Sequence, residues 1–315
     1  MKRTVAMILA LALTLCFSAA ALADNVYRIG VCQLVQHDAL DAATRGFQDA
    51  LTEKLGDSVS IDVQNASGDY NTCSTIMNSF VSDAVDLIMA NTTPALQAAV
   101  AATADIPILG TSVTDYATAL DMGELSGATG INVSGTCDLA PLQEQADMLH
   151  ELFPDALKVG LLYCSAEPNS LYQVHVIQAY LEAMGYQCFS YTFADSNDVA
   201  SVTQNACDSC DVLYIPTDNT AASCTEAIRN IVEPAGTPVI AGEEGICAGC
   251  GVATLSISYY DLGYTTGEMA YEILVNGADV SAMEIRIAPR VTKEYNAELC
   301  AVLNIAIPED YVAIQ

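Results

Sequence analysis

The sequence contains no tryptophan, only three histidines, and ten Lys and Arg residues against 39 Asp and Glu residues. The net charge of −29 repels the phosphates of nucleic acids and the surface of anionic membranes, so neither is expected as a partner. Of the histidines, only His37 follows a predicted strand, and nothing near it in sequence would orient it. A Ser–His–Asp hydrolase is therefore disfavoured.

Several motifs of cofactor binding and catalysis are also missing. No G-x-G-x-x-G follows the first predicted strand, and the sequence has no G-x-x-x-x-G-K-[ST], H-E-x-x-H or G-x-S-x-G. These absences argue against a dinucleotide enzyme, a P-loop nucleotidase, a zinc protease of the zincin type and an α/β-hydrolase. We predict no cofactor.

Two cysteine pairs, Cys207-x-x-Cys210 and Cys247-x-x-Cys250, have the spacing of zinc half-sites. The first pair ends a predicted helix, and the second is predicted to lie in a glycine-rich loop without a histidine nearby. This separation favours buried small side chains, or an occasional disulfide, over a metal site. We predict no metal site.

The only long apolar run lies within the first 23 residues. Two basic residues precede the apolar segment Val5–Phe17, and the small-x-small sequence Ala21–Ala23 follows it, as in a cleaved signal peptide. The segment is short for a membrane span. We expect no lipid anchor at Cys16, because the leucine before it is larger than such sites require. The mature chain is expected to begin near Asp24, secreted or periplasmic and without membrane insertion.

One unit of strand, polar tip, helix and second strand occurs twice in the chain. Asp211–Asn219 and Pro238–Glu244 form one copy, and Asp86–Met89 and Pro107–Ser112 form the other. Short apolar runs bounded in this way indicate parallel strands that are buried on both faces. Ligands of such sheets bind outside the carboxyl ends of the strands. Two lobes built in this way imply a cleft between them.

The predicted fold class is α/β, with two Rossmann-like lobes and a ligand cleft between them. The glycine-rich stretch Gly127–Gly135 and the turn Ser256–Asp261 interrupt the alternation of strands and helices. We therefore assign residues 1–23 to the signal peptide, residues 24–133 and 258–283 to lobe one, and residues 134–257 and 284–315 to lobe two.

Polar side chains at the predicted strand ends suit a zwitterionic amino acid. The ligand carboxylate would bind either Thr92, Thr93, Thr111 and Ser112, or Ser165, Asn169 and Ser170. An acid would pair with the ammonium, with Asp218 preferred to Asp115 and Glu243. Taken singly, such residues more often cap helices, and only their clustering favours a site. The predicted ligand-binding residues are Gln33, Val35, His37, Thr92, Thr93, Thr111, Ser112, Thr114, Asp115, Ser165, Asn169, Ser170, Thr217, Asp218, Asn219 and Glu243.

Segments along the whole mature chain resemble the substrate-binding proteins of ABC importers. They include VCQLVQHDALDAATRGF, NTTPALQAA, PILGTSVTD, SAEPNS, YIPTDNTAAS, PVIAGEEG and SYYDLGYTTGEMA. Within that family the sequence is similar to the branch related to tryptophan- and tyrosine-binding proteins, with a ribose-binding-like fold.

The resemblance implies a periplasmic binding fold of type I, with two lobes joined by a hinge of three crossovers and closing on one small molecule. It implies an aromatic amino acid or a related solute as ligand, ABC permease subunits as partners, and a monomer. Three alternatives stay open from the sequence. They are a ligand-sensing module for a receptor, a binder of a sugar or another small polar solute, and an extracytoplasmic enzyme on the same scaffold.

Overall fold

The computed structural model of this protein describes residues 26–123, 125, 127–287 and 290–314. The predicted signal peptide, including Cys16, lies outside these residues. Within these ranges, no helix combines the length and the apolar character that a membrane crossing requires.

Lobe one is built on a parallel sheet of six strands, in the spatial order β11-β5-β4-β3-β1-β2. Its strands are β1 (Tyr27–Gln33), β2 (Val59–Asn65), β3 (Leu87–Asn91), β4 (Ile108–Val113), β5 (Val133–Cys137) and β11 (Arg286–Ile287). Strands β3 and β4 are buried along their whole length, because helices cover both faces of the sheet.

Five helices surround this sheet. They are α1 (Asp38–Leu55), α2 (Tyr70–Ser82), α3 (Thr93–Ala102), α4 (Tyr116–Ala119) and α11 (Tyr259–Leu274). Helix α11 comes late in the chain but packs closely along α1. A side chain at Gly263 of α11 would bring its Cβ to 1.9 Å from the carbonyl oxygen of Ala43. Glycine at this position therefore allows the two backbones to touch.

Lobe two is built on a second sheet of seven strands, in the order β13-β12-β10-β9-β8-β6-β7. The strands are β6 (Lys158–Cys164), β7 (Gln187–Phe193), β8 (Val212–Ile215), β9 (Val239–Ala241), β10 (Ala253–Ser256), β12 (Thr292–Tyr295) and β13 (Val312–Ala313). All pairs are parallel except β10 with β12. The helices are α5 (Leu142–Leu152), α6 (Pro168–Ala183), α7 (Val199–Cys207), α8 (Asn219–Ala222), α9 (Thr225–Ala235), α10 (Glu244–Cys250) and α12 (Ala297–Leu303).

The chain passes between the two lobes three times: after β5, after β10, and between β11 and β12. The two copies of the repeated sequence unit lie in different sheets, with β3 in one and β8 in the other. The predicted α/β class with two lobes and three crossovers is confirmed.

The structure corrects two of the predicted lobe boundaries. Strand β5 pairs with β4, and β11 pairs with β5, so residues 134–137 and 286–287 belong to the sheet of lobe one. The glycine-rich stretch Gly127–Gly135 was predicted to interrupt the alternation of strands and helices, yet Gly135 lies inside β5 with φ 144°. A Cβ there would lie 2.0 Å from the carbonyl oxygen of Gly110. The glycine at this position allows β5 to pack closely against β4, and it does not mark a boundary between the lobes.

One cysteine pair also differs from prediction. Cys247 and Cys250 lie in helix α10, not in a glycine-rich loop. Both sulfurs are fully buried on the same side of the lobe-two sheet as Cys210. The eleven cysteines in the described ranges are all free thiols. Within those ranges, no three or more His, Cys, Asp or Glu residues are grouped so that they could hold a metal ion.

Candidate functional site

A small polar cavity of about 10 Å³ lies between the two lobes, at the carboxyl ends of their strands. Lobe one, the first crossover and the start of α11 contribute one wall, and lobe two contributes the other. The lining residues are His37, Leu40, Ser112, Thr114, Asp138, Asn169, Thr217, Asp218, Asn219, Ala222, Glu243 and Tyr259. The lining is mostly polar, with three carboxyl groups and no lysine or arginine among the described residues.

Four atoms in this lining are buried and lack a hydrogen-bond partner in the part of the chain that the structure describes. They are His37 Nδ1, Ser112 Oγ, Asp138 Oδ1 and Asn169 Oδ1, and we call them the open polar atoms. Buried polar atoms in folded proteins are nearly always paired, because leaving one unpaired costs about 1–3 kcal/mol. Four of them around one cavity indicate a site that a polar ligand completes.

Asp138 lies in the first crossover, directly after β5, and is 3% exposed. Its Oδ2 accepts a hydrogen bond from the Tyr259 hydroxyl at 3.0 Å, while Oδ1 is one of the open polar atoms. Burial raises the pKa of this carboxyl to about 6, against the smaller opposing effects of its hydrogen bonds. Asp138 is thus a buried acid with one oxygen available to a cation.

His37 precedes α1 and reaches across the cleft. Its Nε2 lies 3.4 Å from Asn219 Oδ1 of lobe two. Burial lowers the pKa of this imidazole, so the ring is neutral near pH 7. Because the Asn219 oxygen can only accept, Nε2 carries the proton and the open Nδ1 is an acceptor.

Asp218 follows β8 and is fully engaged by lobe two. Its Oδ1 accepts from the backbone N–H of Ala221 at 2.8 Å, as the cap of α8. Its Oδ2 accepts from the Cys164 N–H and the Ser170 hydroxyl, both at 2.7 Å. Burial, with the nearby charge of Glu167, raises the pKa of Asp218 to about 8. These contacts argue against Asp218 as the partner of a ligand ammonium.

Glu243 is also occupied by the protein. Its two oxygens accept the backbone N–H groups of Gly245 at 2.7 Å and Ile246 at 2.5 Å, which caps α10. Burial raises the pKa of this carboxyl to about 7. Asp218 and Glu243 therefore line the cavity with acids whose oxygens already hold helix ends in place.

Eight of the sixteen predicted site residues line the cavity. They are His37, Ser112, Thr114, Asn169, Thr217, Asp218, Asn219 and Glu243. The remaining eight do not line it. They are Gln33, Val35, Thr92, Thr93, Thr111, Asp115, Ser165 and Ser170.

Two lobe-one residues of the second group cap helices, and two are part of buried networks. Thr92 caps α3 and Asp115 caps α4. Thr111 joins a chain of buried hydroxyls through Thr136, and Gln33 bonds to side chains of α1. Thr92 and Asp115 are therefore helix caps, which is the alternative role that such residues have when taken singly.

The other four also lie outside the cavity. Val35 lines a neighbouring open groove, and the Thr93 hydroxyl is buried without a hydrogen-bond partner among the described residues. Ser165 is exposed and donates to the carbonyl of Phe193 at 3.2 Å. The Ser170 hydroxyl donates to Asp218 beneath the cavity surface.

Four lining residues were not predicted: Leu40, Asp138, Ala222 and Tyr259. Asp138 lies in the first crossover and Tyr259 begins α11, whereas the predicted residues were chosen at strand ends. A usable signal existed, since Tyr259 lies within one of the two stretches that interrupt the alternation of strands and helices, and Asp138 lies three residues beyond the other.

The sequence profile of the family described as ABC transporter substrate binding protein matches residues 28–314. This chain belongs to that family. It is a family of transport proteins that bind a small-molecule substrate, not a family of enzymes, and it acts on the extracytoplasmic side of the membrane.

Among individual relatives, the chain is 39% identical over 249 residues to a tyrosine-binding protein of Clostridioides difficile, covering 78% of this chain and 72% of that protein. It also resembles a Streptococcus pneumonia domain solved in complex with L-Trp, with a TM-score of 0.86 and 30% identity. That match covers 90% of this chain and 96% of the domain.

A third relative is a Clostridium difficile substrate-binding protein with adhesive properties, solved in its ligand-free, open structure. The TM-score is 0.70 at 37% identity, covering 92% of this chain and 99% of that one. The conformation of this chain is thus closer to the L-Trp complex, although the open relative is more similar in sequence. Two hydrogen bonds that join the lobes agree with a closed conformation, His37 with Asn219 and the Tyr70 hydroxyl with the Ala166 carbonyl at 3.2 Å.

Proposed function

We propose that this chain binds a zwitterionic aromatic amino acid, such as L-tyrosine or L-tryptophan, between its lobes and delivers it to an ABC importer. The family membership and the names of the two relatives support this ligand class. The cavity adds an independent argument from its chemistry.

The observation that carries the proposal is the set of three open acceptors in one cavity. His37 Nδ1, Asp138 Oδ1 and Asn169 Oδ1 match the three N–H donors of an ammonium group. Only Asp138 adds a carboxylate that is not already occupied, so it supplies the opposite charge. A charged group in a closed cavity needs such a partner, since desolvation removes its stabilisation by water.

The ligand carboxylate would bind on the lobe-one side, at the neutral hydroxyl group of Ser112. Ser112 has a φ of 54°, a left-handed conformation at the end of β4, and its Oγ is an open polar atom. Of the first carboxylate site expected from sequence this assignment keeps Ser112 alone, and it replaces Asp218 by Asp138 as the ammonium partner.

The finer points of transport are part of the same proposal. Residues 1–23 would direct export and be removed, leaving a secreted or periplasmic chain without a lipid anchor. The closed monomer would dock on permease subunits of the transporter. A cleaved N-terminus near Asp24, measured by mass spectrometry of the exported protein, would support this part.

Isothermal calorimetry on the purified chain tests the ligand class. L-tyrosine and L-tryptophan should bind, and ligand at about 100 Kd should raise the free energy of unfolding by about 2.7 kcal/mol. 3-(4-Hydroxyphenyl)propanoate, which differs from L-tyrosine only in lacking the ammonium, is the matched control and should bind far more weakly. No binding of either amino acid at millimolar concentration would refute the proposal.

A further inference from the structure

Glu167 is a buried carboxylate behind the cavity wall, and it does not line the cavity. It accepts five hydrogen bonds, all from lobe two. Oε1 accepts from the Thr220 N–H at 2.9 Å and the Thr220 hydroxyl at 2.8 Å. Oε2 accepts from the Asn219 N–H at 3.0 Å, Asn219 Nδ2 at 2.7 Å and Asn169 Nδ2 at 3.1 Å.

Both oxygens of Glu167 face backbone N–H groups, which can only donate. The carboxylate is therefore an acceptor at both atoms, and any amide group that faces it must present its NH₂ end. Asn169 and Asn219 are both held in this way. A second contact strengthens the restraint on Asn169, whose Nδ2 also donates to the Thr217 carbonyl at 3.0 Å.

The opposite end of each amide consequently points away from Glu167. Asn169 presents its Oδ1 to the cavity as an open polar atom. Asn219 presents its Oδ1 to His37 Nε2, which fixes the proton on that nitrogen and leaves Nδ1 as an acceptor. Two of the three open acceptors thus depend on one carboxylate that does not contact the ligand site.

We propose that Glu167 is a positioning residue for ligand selection: it fixes the orientation of Asn169 and Asn219 and thereby makes the cavity accept an ammonium. This inference rests on the proposed function. If the Asn169 amide were flipped by 180°, its NH₂ group would face the cavity and repel the ammonium. A site with buried acceptors strongly prefers a ligand that carries the matching donor group over an analogue that lacks it, because the analogue leaves the acceptors unpaired.

The test compares Glu167→Gln with the unmodified chain in calorimetry. The probes are L-tyrosine and 3-(4-hydroxyphenyl)propanoate, which differ only in the ammonium. Glutamine can donate as well as accept, so it permits both orientations of the Asn219 amide, whereas the Thr217 carbonyl still holds the NH₂ group of Asn169. We expect the preference of the unmodified chain for L-tyrosine to fall about tenfold or more in the variant, on the scale of a hydrogen bond to a charged group.

Asp211→Asn is the matched control. Asp211 is a lobe-two carboxylate that also accepts two backbone N–H groups, from Leu157 and Lys158, but at the far end of the sheet. Its variant should keep the preference for L-tyrosine. If Glu167→Gln does not fold, Asn169→Ala takes its place. It removes one open acceptor directly and should reduce the preference for L-tyrosine over 3-(4-hydroxyphenyl)propanoate.

The possible outcomes separate this inference from the proposed function. Equal weakening of both probes by Glu167→Gln would show a merely structural residue and overturn the inference while the function stands. Glu167→Gln could instead lose the preference for L-tyrosine over L-phenylalanine and keep the preference for L-tyrosine over 3-(4-hydroxyphenyl)propanoate. That result would place Asn169 at the side chain of the ligand and would also overturn the inference. Failure of the unmodified chain to bind any aromatic amino acid would remove both.

Nitrogen NMR of the histidine side chains gives an independent readout. The sequence has only three histidines, which simplifies assignment. His37 should be a neutral ring protonated on Nε2 in the unmodified chain, with a mixture of tautomers in Glu167→Gln. An unchanged tautomer in the variant would contradict the proposed link through Asn219.

Discussion

The two walls of the cleft use buried carboxyl groups in opposite ways. Asp138, beside lobe one, accepts a hydrogen bond from the Tyr259 hydroxyl at Oδ2, and its Oδ1 is an open polar atom. Asp218, in lobe two, accepts three hydrogen bonds and caps a helix. Both line the same cavity and both have raised pKa values because of burial. A buried acid in a cleft is therefore not by itself a ligand contact. The number of its remaining acceptor positions decides its role.

This comparison predicts the largest effect on stability at Asp218. Asp218→Ala leaves the donors of Cys164, Ser170 and Ala221 without their acceptor, so the free energy of unfolding should fall by about 3 kcal/mol. Urea denaturation without ligand measures it. Asp115→Ala, which removes only an N-cap, should cost about 1 kcal/mol. Equal losses for the two variants would contradict a structural role for Asp218.

The next largest effect should be on binding, at Asp138. Asp138→Asn keeps the size of the side chain but removes the charge that faces the ligand ammonium. An unpaired buried charge costs on the order of 2–5 kcal/mol, so the Kd for L-tyrosine should rise about 30-fold or more. Calorimetry measures it, and denaturation should show little loss of stability. Asp115→Asn, near the same strand end but outside the cavity, should leave the Kd unchanged. An unaltered Kd in Asp138→Asn would remove Asp138 from the site.

The raised pKa of Asp138 predicts a pH dependence of binding. Below its pKa of about 6 this carboxyl is protonated in the ligand-free protein, and binding an ammonium must displace that proton. Affinity for L-tyrosine should therefore rise about tenfold between pH 5 and pH 7 through the ionisation of Asp138. Calorimetry across this range should show the rise in the unmodified chain and a flatter profile in Asp138→Asn. Affinity that falls with rising pH would have the wrong sign for this account.

The smallest effects should separate two serines, one from each wall. Ser112→Ala removes an open hydroxyl and should weaken L-tyrosine binding by about tenfold with little change in stability. Ser170→Ala removes a donor to Asp218 and should lower the free energy of unfolding by about 1 kcal/mol. Calorimetry and denaturation on both variants give the comparison. Reversed effects would mean that the walls have been assigned the wrong way round.

The sequence predicted the strand ends well because parallel sheets align them on one edge. Ser112, Asn169 and Asn219 were therefore predicted to line the cleft from local pattern alone. Asp138 could not be found in the same way, because the position of a crossover residue depends on how the two lobes are oriented. The role of Glu167 depends on contacts with residues 52 and 53 positions away. Such long-range hydrogen bonds leave no periodic signal in the sequence.

The same reasoning explains the errors at the lobe boundaries. A run of glycines near Gly135 has the composition of a linker, and only the neighbouring strand reveals that the absence of a side chain permits close packing. The two-residue strand β11 is too short to give an alternating pattern. Its assignment to lobe one rests on its pairing with β5.

A crystal structure of the chain with L-tyrosine tests the central claim most directly. We predict the ammonium nitrogen within about 2.9 Å of Asp138 Oδ1, with Asp218 still bonded to Ala221 and Ser170. The carboxylate should lie against Ser112. An ammonium bound to Asp218 or Glu243, with Asp138 turned away from the ligand, would contradict the account.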